Sequence, residues 1–415
     1  VYLQSAANVD LQAGTGWLRG WVDIDQGVWN NQTVDLSLSH VKLQWEKQKD
    51  ALEFESIAGR LRLQSWMGGL GHEMLTEQLS VKPAKGEAWS SGKTRFAWRN
   101  PHRDDEPWAA TGELHVEDLP IDVLARVAGQ LPMDASMHAF LNQLKPSGEL
   151  QALDLQWFDA GSPGFHFKAR GRLNRLQSEG SPSHPTHKGD EDWWPGVKNA
   201  SVNFEFNELS GNAQVELQDG QITLVDWLEE PTLPVKQFSS AVSWGKKQDR
   251  WFVKLQNAKL SNADGQVSFD LLWEDGDAKL PSGRLDLQVQ FQRMLASRLH
   301  RYLPLDMDVA SRRYIHDALI TGWFDNATLQ LQGPLDHFPF DKTQDGVFSV
   351  RAPFLQLGFQ YSPPTNSAGS SKPAPSNWPA ARSTSRIAAI RISLARRCRA
   401  RTRATSSPKS KGFTR

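Results

Sequence analysis

The sequence predicts a mainly β fold: a long antiparallel sheet interrupted by two helix pairs. Three observations carry this expectation. Apolar and polar residues alternate over most of the first 361 positions, as in strands with one apolar and one wet face. Glycines recur between the alternating runs at hairpin-like spacing. Two stretches, Leu119–Trp157 and Met294–Phe340, abandon the period of two for helical spacing.

In chain order, Val34–Val41, Val41–Trp45, Leu52–Glu55 and Leu61–Leu63 alternate. Gly27, Gly59, Gly86 and Gly92 read as turns or bulges between runs. Trp66–Leu79 is less regular and is expected to hold a short helix. In the first interruption, Val123, Leu124, Val127, Ala128 and Leu131 form one helical stripe. Asp118 is its expected N-cap and Pro120 falls in its first turn. Leu131-Pro132 ends it, because the residue before proline avoids the α region. Met137, Phe140, Leu141 and Leu144 mark a second helix, capped by Asp134 or Ser136 and closed by Pro146 and Gly148.

The central runs alternate most cleanly: Val202–Phe206, Val215–Leu217, Ile222–Leu224, Val253–Leu255, Val267–Leu271 and Leu285–Phe291. Gly211, Gly220, Gly245, Gly265 and Gly276 are read as lying between them. Clean alternation argues for an antiparallel sheet rather than a buried parallel one. Gln177–Gly196, rich in Ser, Pro, His and Asp, reads as an exposed loop. The second interruption repeats the plan of the first. Leu295, Leu299, Tyr302 and Leu303 form a stripe broken at Leu303-Pro304. Asp308 caps a helix carrying Tyr314, Ile315, Ala318 and Leu319, and Gly322 closes it. The two Leu-Pro breaks are 172 residues apart and the two closing glycines 174, which reads as an internal repeat. The apolar stripes of these helices are expected to brace a strand run.

The segments are therefore 1–118, β-rich; 119–292, a helix pair with an antiparallel strand run; 293–361, a second helix pair with strands; and 362–379, a Pro/Ser linker. Residues 380–415 form a basic tail, read as disordered and as the product of a frameshift. That tail holds nine Arg, two Lys and no acid, so the even balance of 47 basic and 47 acidic residues conceals an acidic body. Without the tail, 36 basic residues face 47 acidic ones, a net charge near −11. Such a body argues against a nucleic-acid partner. The sole cysteine, Cys398, lies in the tail, so the body has no thiolate nucleophile, thiolate metal site or disulfide. No apolar run approaches the ~18 residues of a membrane span, and the chain starts at Val1 within a polar alternating pattern. It reads as a fragment whose targeting segment lies upstream.

No catalytic constellation stands out, and the sequence predicts neither an enzyme nor a cofactor. His184, His187, Asp190 and Asp192 have metal-ligand chemistry but sit among Ser, Pro and Gly, as a solvated loop does. Gly68–Gly71 lacks the Lys-Ser/Thr of a phosphate loop. Asp104, Asp105 and Glu106 are consecutive and cannot flank one glycosidic bond. Asp341-Lys-Thr343 lies in a loop between strands. The apolar strand faces are more extensive. A sandwich core explains them, and so does an open sheet that holds acyl chains. Water charges roughly 0.8 kcal/mol per exposed CH₂, so a lipid crossing an aqueous gap needs a continuous apolar track.

Leu303-Pro304, Arg312-Arg-Tyr314, Ala318–Gly322, Leu331-Gln-Gly333 and His337–Phe340 together resemble the YhdP family, as do Leu119–Pro132, Gly20–Val28 and Ile57–Leu61. These are large AsmA-like, TamB-related proteins of the Gram-negative envelope, and the resemblance covers roughly residues 1–379. It implies a periplasmic protein anchored in the inner membrane by an N-terminal span that this chain lacks. It implies a long curved sheet forming an open apolar groove, and the role of a bridge carrying phospholipid between the inner and outer membranes. The alternative is a scaffold of the cell envelope without lipid cargo. Expected partners are phospholipid acyl chains, the inner membrane through the missing span, and envelope proteins. Candidates for the groove wall are Phe204, Phe206, Leu217, Phe269, Leu271, Leu287, Val289 and Phe291, with Glu205 and Gln288 facing outward.

Overall fold

A computed structural model of the chain describes residues 9–361, except 26–27, 46–50, 67–70, 86–87, 91, 100–109, 129–134, 161–165, 182–193, 306, 339 and 341–344. Eighteen strands form one open antiparallel sheet that does not close into a barrel. The first nine strands are β1 (Val9–Asp25), β2 (Val28–Trp45), β3 (Leu52–Trp66), β4 (Gly71–Pro83), β5 (Trp89–Ser90), β6 (Thr94–Arg99), β7 (Ala110–Pro120), β8 (Ser147–Ala160) and β9 (His166–Ser178). The remainder are β10 (Gly196–Asn207), β11 (Ser210–Thr223), β12 (Thr232–Lys247), β13 (Arg250–Ser261), β14 (Gly265–Glu274), β15 (Arg284–Leu295), β16 (Leu319–Pro334), β17 (Val347–Arg351) and β18 (Phe354–Phe359).

The topology is a meander. Each strand pairs with its chain neighbour, except where two short strands share one position. β5 and β6 lie end to end along β4, and β17 and β18 along β16. Sixteen strand positions at about 4.8 Å each extend about 70 Å along the hydrogen-bonding direction. Hydrogen bonding runs unbroken across positions 118 and 292, so the segments drawn there from sequence are lengths of one sheet.

Two α-helices, α1 (Ile121–Ala128) and α2 (Ala135–Leu144), connect β7 to β8. A 3-10 helix (Ala296–Tyr302) and α3 (Val309–Ala318) connect β15 to β16. Strand directions alternate without exception, so both connections leave from the same end of the sheet, here called the lower end. The two lie eight strand positions apart, which is the repeat expected from the 172-residue offset.

The Asp308 cap holds: its carboxylate accepts the Ser311 backbone N–H at 3.0 Å. Other expectations need correction. Asp118 lies inside β7, whose ladder runs on to Pro120, and caps nothing. Ser136 lies within α2 rather than before it. The stripe Leu295–Leu303 is a 3-10 helix; its i, i+3 geometry brings Leu299 and Tyr302 onto one side, against the buried Met294 and Phe324. Gly322 sits within β16, because the ladder starts at Leu319. The short helix expected in Trp66–Leu79 is also absent from its described part, where β3 ends and β4 begins.

The strands are longer than the alternating runs suggest. Val215–Leu217 and Ile222–Thr223 belong to one strand, β11. Gly211, Gly220 and Gly245 lie inside strands, and Gly265 opens one. The reason is a recurrent β-bulge. His40, Gln78, Ala152, Arg175, Asn199 and Asn257 have positive φ, and each lies where the pairing register shifts or beside such a shift. A bulge adds one residue and switches the side-chain phase. In β13 the apolar residues are Val253 and Leu255 before Asn257, then Ala258 and Leu260 after it. In β2 they are Val34, Leu36 and Leu38 before His40, then Val41 and Leu43.

These bulges fall three to five residues from the lower ends of their strands. Bulges bend strands, and bulges at one level in successive strands crease the sheet along that line. Glycine accommodates the close approach at this crease: a Cβ on Gly148 would meet the Asn174 and Arg175 carbonyl oxygens at 2.8 Å. The buried apolar residues follow the same level. Val41, Leu150, Ala200, Leu217, Phe238 and Ala258 are all buried there, and five of the residues near it pack as one cluster, Ala200, Leu217, Val235, Phe238 and Ala258. The core therefore sits in the inner angle of a bent single sheet.

Candidate functional site

The sheet has two chemically different faces, and pairing register assigns every strand residue to one of them. On the inner face Met74 lies opposite Phe96, Phe96 opposite Leu114, and Leu114 opposite Leu155. The row continues through Ala169, Phe206, Gly211, Trp244, Val253, Trp273 and Leu285. A second row runs Leu255, Leu271, Leu287, Leu331 and Phe348. Neither row contains a charged residue.

All eight wall candidates lie on this face. Phe204 and Phe206 are opposite Ala213 and Gly211; Phe269 and Leu271 are opposite Val289 and Leu287; Phe291 is opposite Val267. Leu217 is 2% exposed, between Ala200 and Phe238. The other seven are half-buried. Half-burial follows from single-layer architecture: neighbours on adjoining strands cover each side chain laterally, and no described element lies over it. Sequence reasoning did not single out Trp98, Trp157, Trp244 and Trp273, which share the face. Their signal was present, because each continues the apolar parity of its strand.

The outer face is a lattice of cross-strand ion pairs. Arg95 bridges Glu73 at 2.7 Å and Glu113 at 2.5 Å. Asp154 accepts from His115 at 2.6 Å and Arg170 at 2.9 Å, and these two bonds hold its carboxyl below the usual range. Lys168 pairs with Glu205 at 2.7 Å, which places Glu205 outward as expected, and Gln288 also points outward between Asp270 and Gln330. Asp35 lies between Arg60 at 2.6 Å and Arg19 at 3.2 Å. The Arg60 hydrogen bond is the main reason its carboxyl is held down to about 2. These exposed pairs favour water on this face and cross-strand register over stability.

The lower edge is latched. Asp264, in the β13–β14 turn, is 5% exposed. It accepts from Arg301 at 2.7 Å and from the Tyr302 hydroxyl at 3.0 Å. Asn262 donates to the same hydroxyl at 2.7 Å. Burial pushes the Tyr302 phenol up to about 12. Glu230 and Glu229, between β11 and β12, pair with Arg301 at 2.8 Å and Arg312 at 3.4 Å. The second helix pair is thus tied to two neighbouring turns and braces the strand ends. His300 packs against His316 with ring centroids 4.4 Å apart; burial, then the neighbouring His316, lowers its pKa.

Among the described residues, no group of three or more His, Cys, Asp or Glu side chains gathers as a metal site. His184, His187, Asp190, Asp192, the acidic triplet 104–106, Asp341, Thr343, Cys398 and the basic tail lie outside the described residues, as do Gly68 to Leu70. No helix among the described residues is long and apolar enough to cross a membrane.

A family profile described as "YhdP protein" matches residues 1–385. The chain belongs to the YhdP family. The match covers the whole sheet and ends shortly after the sequence turns basic at residue 380. No curated protein and no solved structure matches the chain. Family membership together with a long open sheet fits a bridge-like protein of the cell envelope.

Proposed function

We propose that this chain is a non-enzymatic, periplasmic part of a bridge that carries phospholipid between the inner and outer membranes, contributing to the outer-membrane barrier. The observation that carries the reading is the charge-free apolar row, continuous across strand after strand on one face of an open sheet. A single-layer protein gains little by keeping such a face unless something apolar covers it, since exposed apolar area costs about 25 cal/mol per Å². Acyl chains are a fitting cover, because they need a track without gaps and no particular side-chain geometry. A length of about 70 Å is more than twice the ~30 Å hydrocarbon thickness of a bilayer, which suits a protein that spans a gap. The envelope location rests on family membership.

The test is a photo-crosslinking amino acid placed at Phe204, Leu271 and Leu287 and, as controls, at Glu205 and Gln288. Inner positions are expected to capture phospholipid and outer positions to capture none. Lipid captured only at the outer positions, or at no position, removes the groove assignment. The remaining reading would then be an envelope scaffold without lipid cargo.

A further inference from the structure

The inner face is not uniform from its lower to its upper end. Trp98, Trp157, Trp244, Trp251 and Trp273 all lie on it, each within four residues of the upper end of its strand. Trp89, in the two-residue β5, belongs to the lower band instead. The middle and crease of the sheet carry Leu, Val, Ala and Phe instead.

The rings form a belt rather than a scatter. Trp98 lies 5.1 Å from His72 and 5.0 Å from Phe96, and Phe96 lies 5.7 Å from Trp157. Phe206 lies 6.4 Å from Trp244. Two glycines keep the indoles flat on the sheet: a Cβ on Gly112 would collide with the Trp157 ring, and one on Gly211 with the Trp244 ring. The indole N–H groups of Trp98, Trp157 and Trp244 donate to no described residue. A ring with an apolar body and an unused polar tip is suited to the level where hydrocarbon gives way to water.

The distance from belt to crease is set by strand length. Trp244 and Phe238 are six residues apart on β12, as are Phe206 and Ala200 on β10. Six extended residues span about 20 Å, against about 15 Å for one leaflet of a ~30 Å hydrocarbon core. The lower boundary is closed by the bend and by the latch around Asp264.

We propose that phospholipid bound on this face has one fixed orientation: acyl chains along the strands toward the crease, headgroup at the upper tryptophan rim. This rests on the lipid-carrying reading above and adds to it which edge of the sheet the headgroups travel along. Lipids then lie side by side across the strands, as in one leaflet, and every headgroup passes the same hairpin edge while the helix-bearing edge meets none.

Two phosphatidylcholine probes test this with the full chain, one carrying a diazirine on the headgroup and the other at an acyl terminus. After irradiation in mixed vesicles, labelled peptides are mapped by mass spectrometry. The headgroup probe is expected to label the upper rim, around Trp157, Trp244 and Trp273, several-fold more than the crease. The acyl-terminus probe is expected to show the reverse, around Leu217 and Phe238. If the headgroup probe labels the crease or the helix-bearing edge, or both probes label both levels equally, the orientation is wrong although the face still binds lipid. If neither probe labels the inner face above its outer-face background, the lipid-carrying reading itself fails.

Discussion

The two bands of the sheet, above and below the line of bulges, are built from the same strands but organised differently. Below the line, side chains close over one another in the angle of the bend, and the Asp264–Arg301–Tyr302 cluster ties the second helix pair to neighbouring turns. Above it, two strand connections are tight, Glu208-Leu209 and Gln248-Asp249, and the inner face is aromatic and half-buried. A single sheet cannot bury its own face while it is flat, so stability gathers where it bends. The part above the bulges keeps its apolar face half-buried.

This contrast gives an order of mutational effects. Leu217→Asp puts an unpaired charge at the 2%-exposed bottom of the crease. It should cost more than about 4 kcal/mol, among the largest effects of single substitutions, read as a collapse of the urea midpoint. Phe206→Asp on the same face but in the half-buried upper band should cost less than half as much; equal losses would erase the distinction between bands. Asp264→Ala removes the acceptor that Arg301 and Tyr302 share, while Arg301 keeps Glu230, and should cost about 1–3 kcal/mol, with hydrogen exchange rising first in the 3-10 helix and α3.

Gly322→Ala tests the lower edge at the backbone level. Gly322 has φ +99°, and an added Cβ would meet the Gln356 carbonyl oxygen at 2.5 Å. A loss of about 1–3 kcal/mol is expected from strain and displacement, and β18 should fray, seen as faster exchange of the Gln360 amide, which donates to the Ala318 carbonyl at its end. The smallest effect belongs to the outer face. Because the Asp35 carboxyl is held down to about 2 when folded, its contribution is complete above the unfolded value near 4. It is lost as pH falls from about 4 towards 2. Asp35→Asn should therefore lower the urea midpoint slightly at pH 7 and leave it unchanged below pH 2.

Much of the architecture was legible because alternation is a local signal. Leu285–Phe291 reads as a strand, and its pairing with β14 and β16 confirms both the strand and the face. Asp308 was legible as a cap because aspartate, a favoured N-cap residue, stands just before a helical apolar stripe. What misled was the bulge. At Asp219-Gly220 the alternation of β11 changes phase, and a reading based on period two splits one strand into two. At Leu119-Pro120 the strand pattern overlaps the helix signal, so Asp118 looked like a cap although the ladder to β8 holds it. The eight candidates share one face of the sheet, whereas the tryptophan rim was missed because period two says nothing of distance from a strand end.

By itself the sequence determined that most of the chain is strand, which side of each alternating run is apolar, and where the helix pairs interrupt. All of these follow from interactions between residues close in the chain. Only the tertiary structure decided that each strand pairs with its chain neighbour in one open layer, that the phase changes align into a crease, and that both helix pairs lie on one edge. Those facts depend on the register between strands, and register is set by side chains meeting across the ladder.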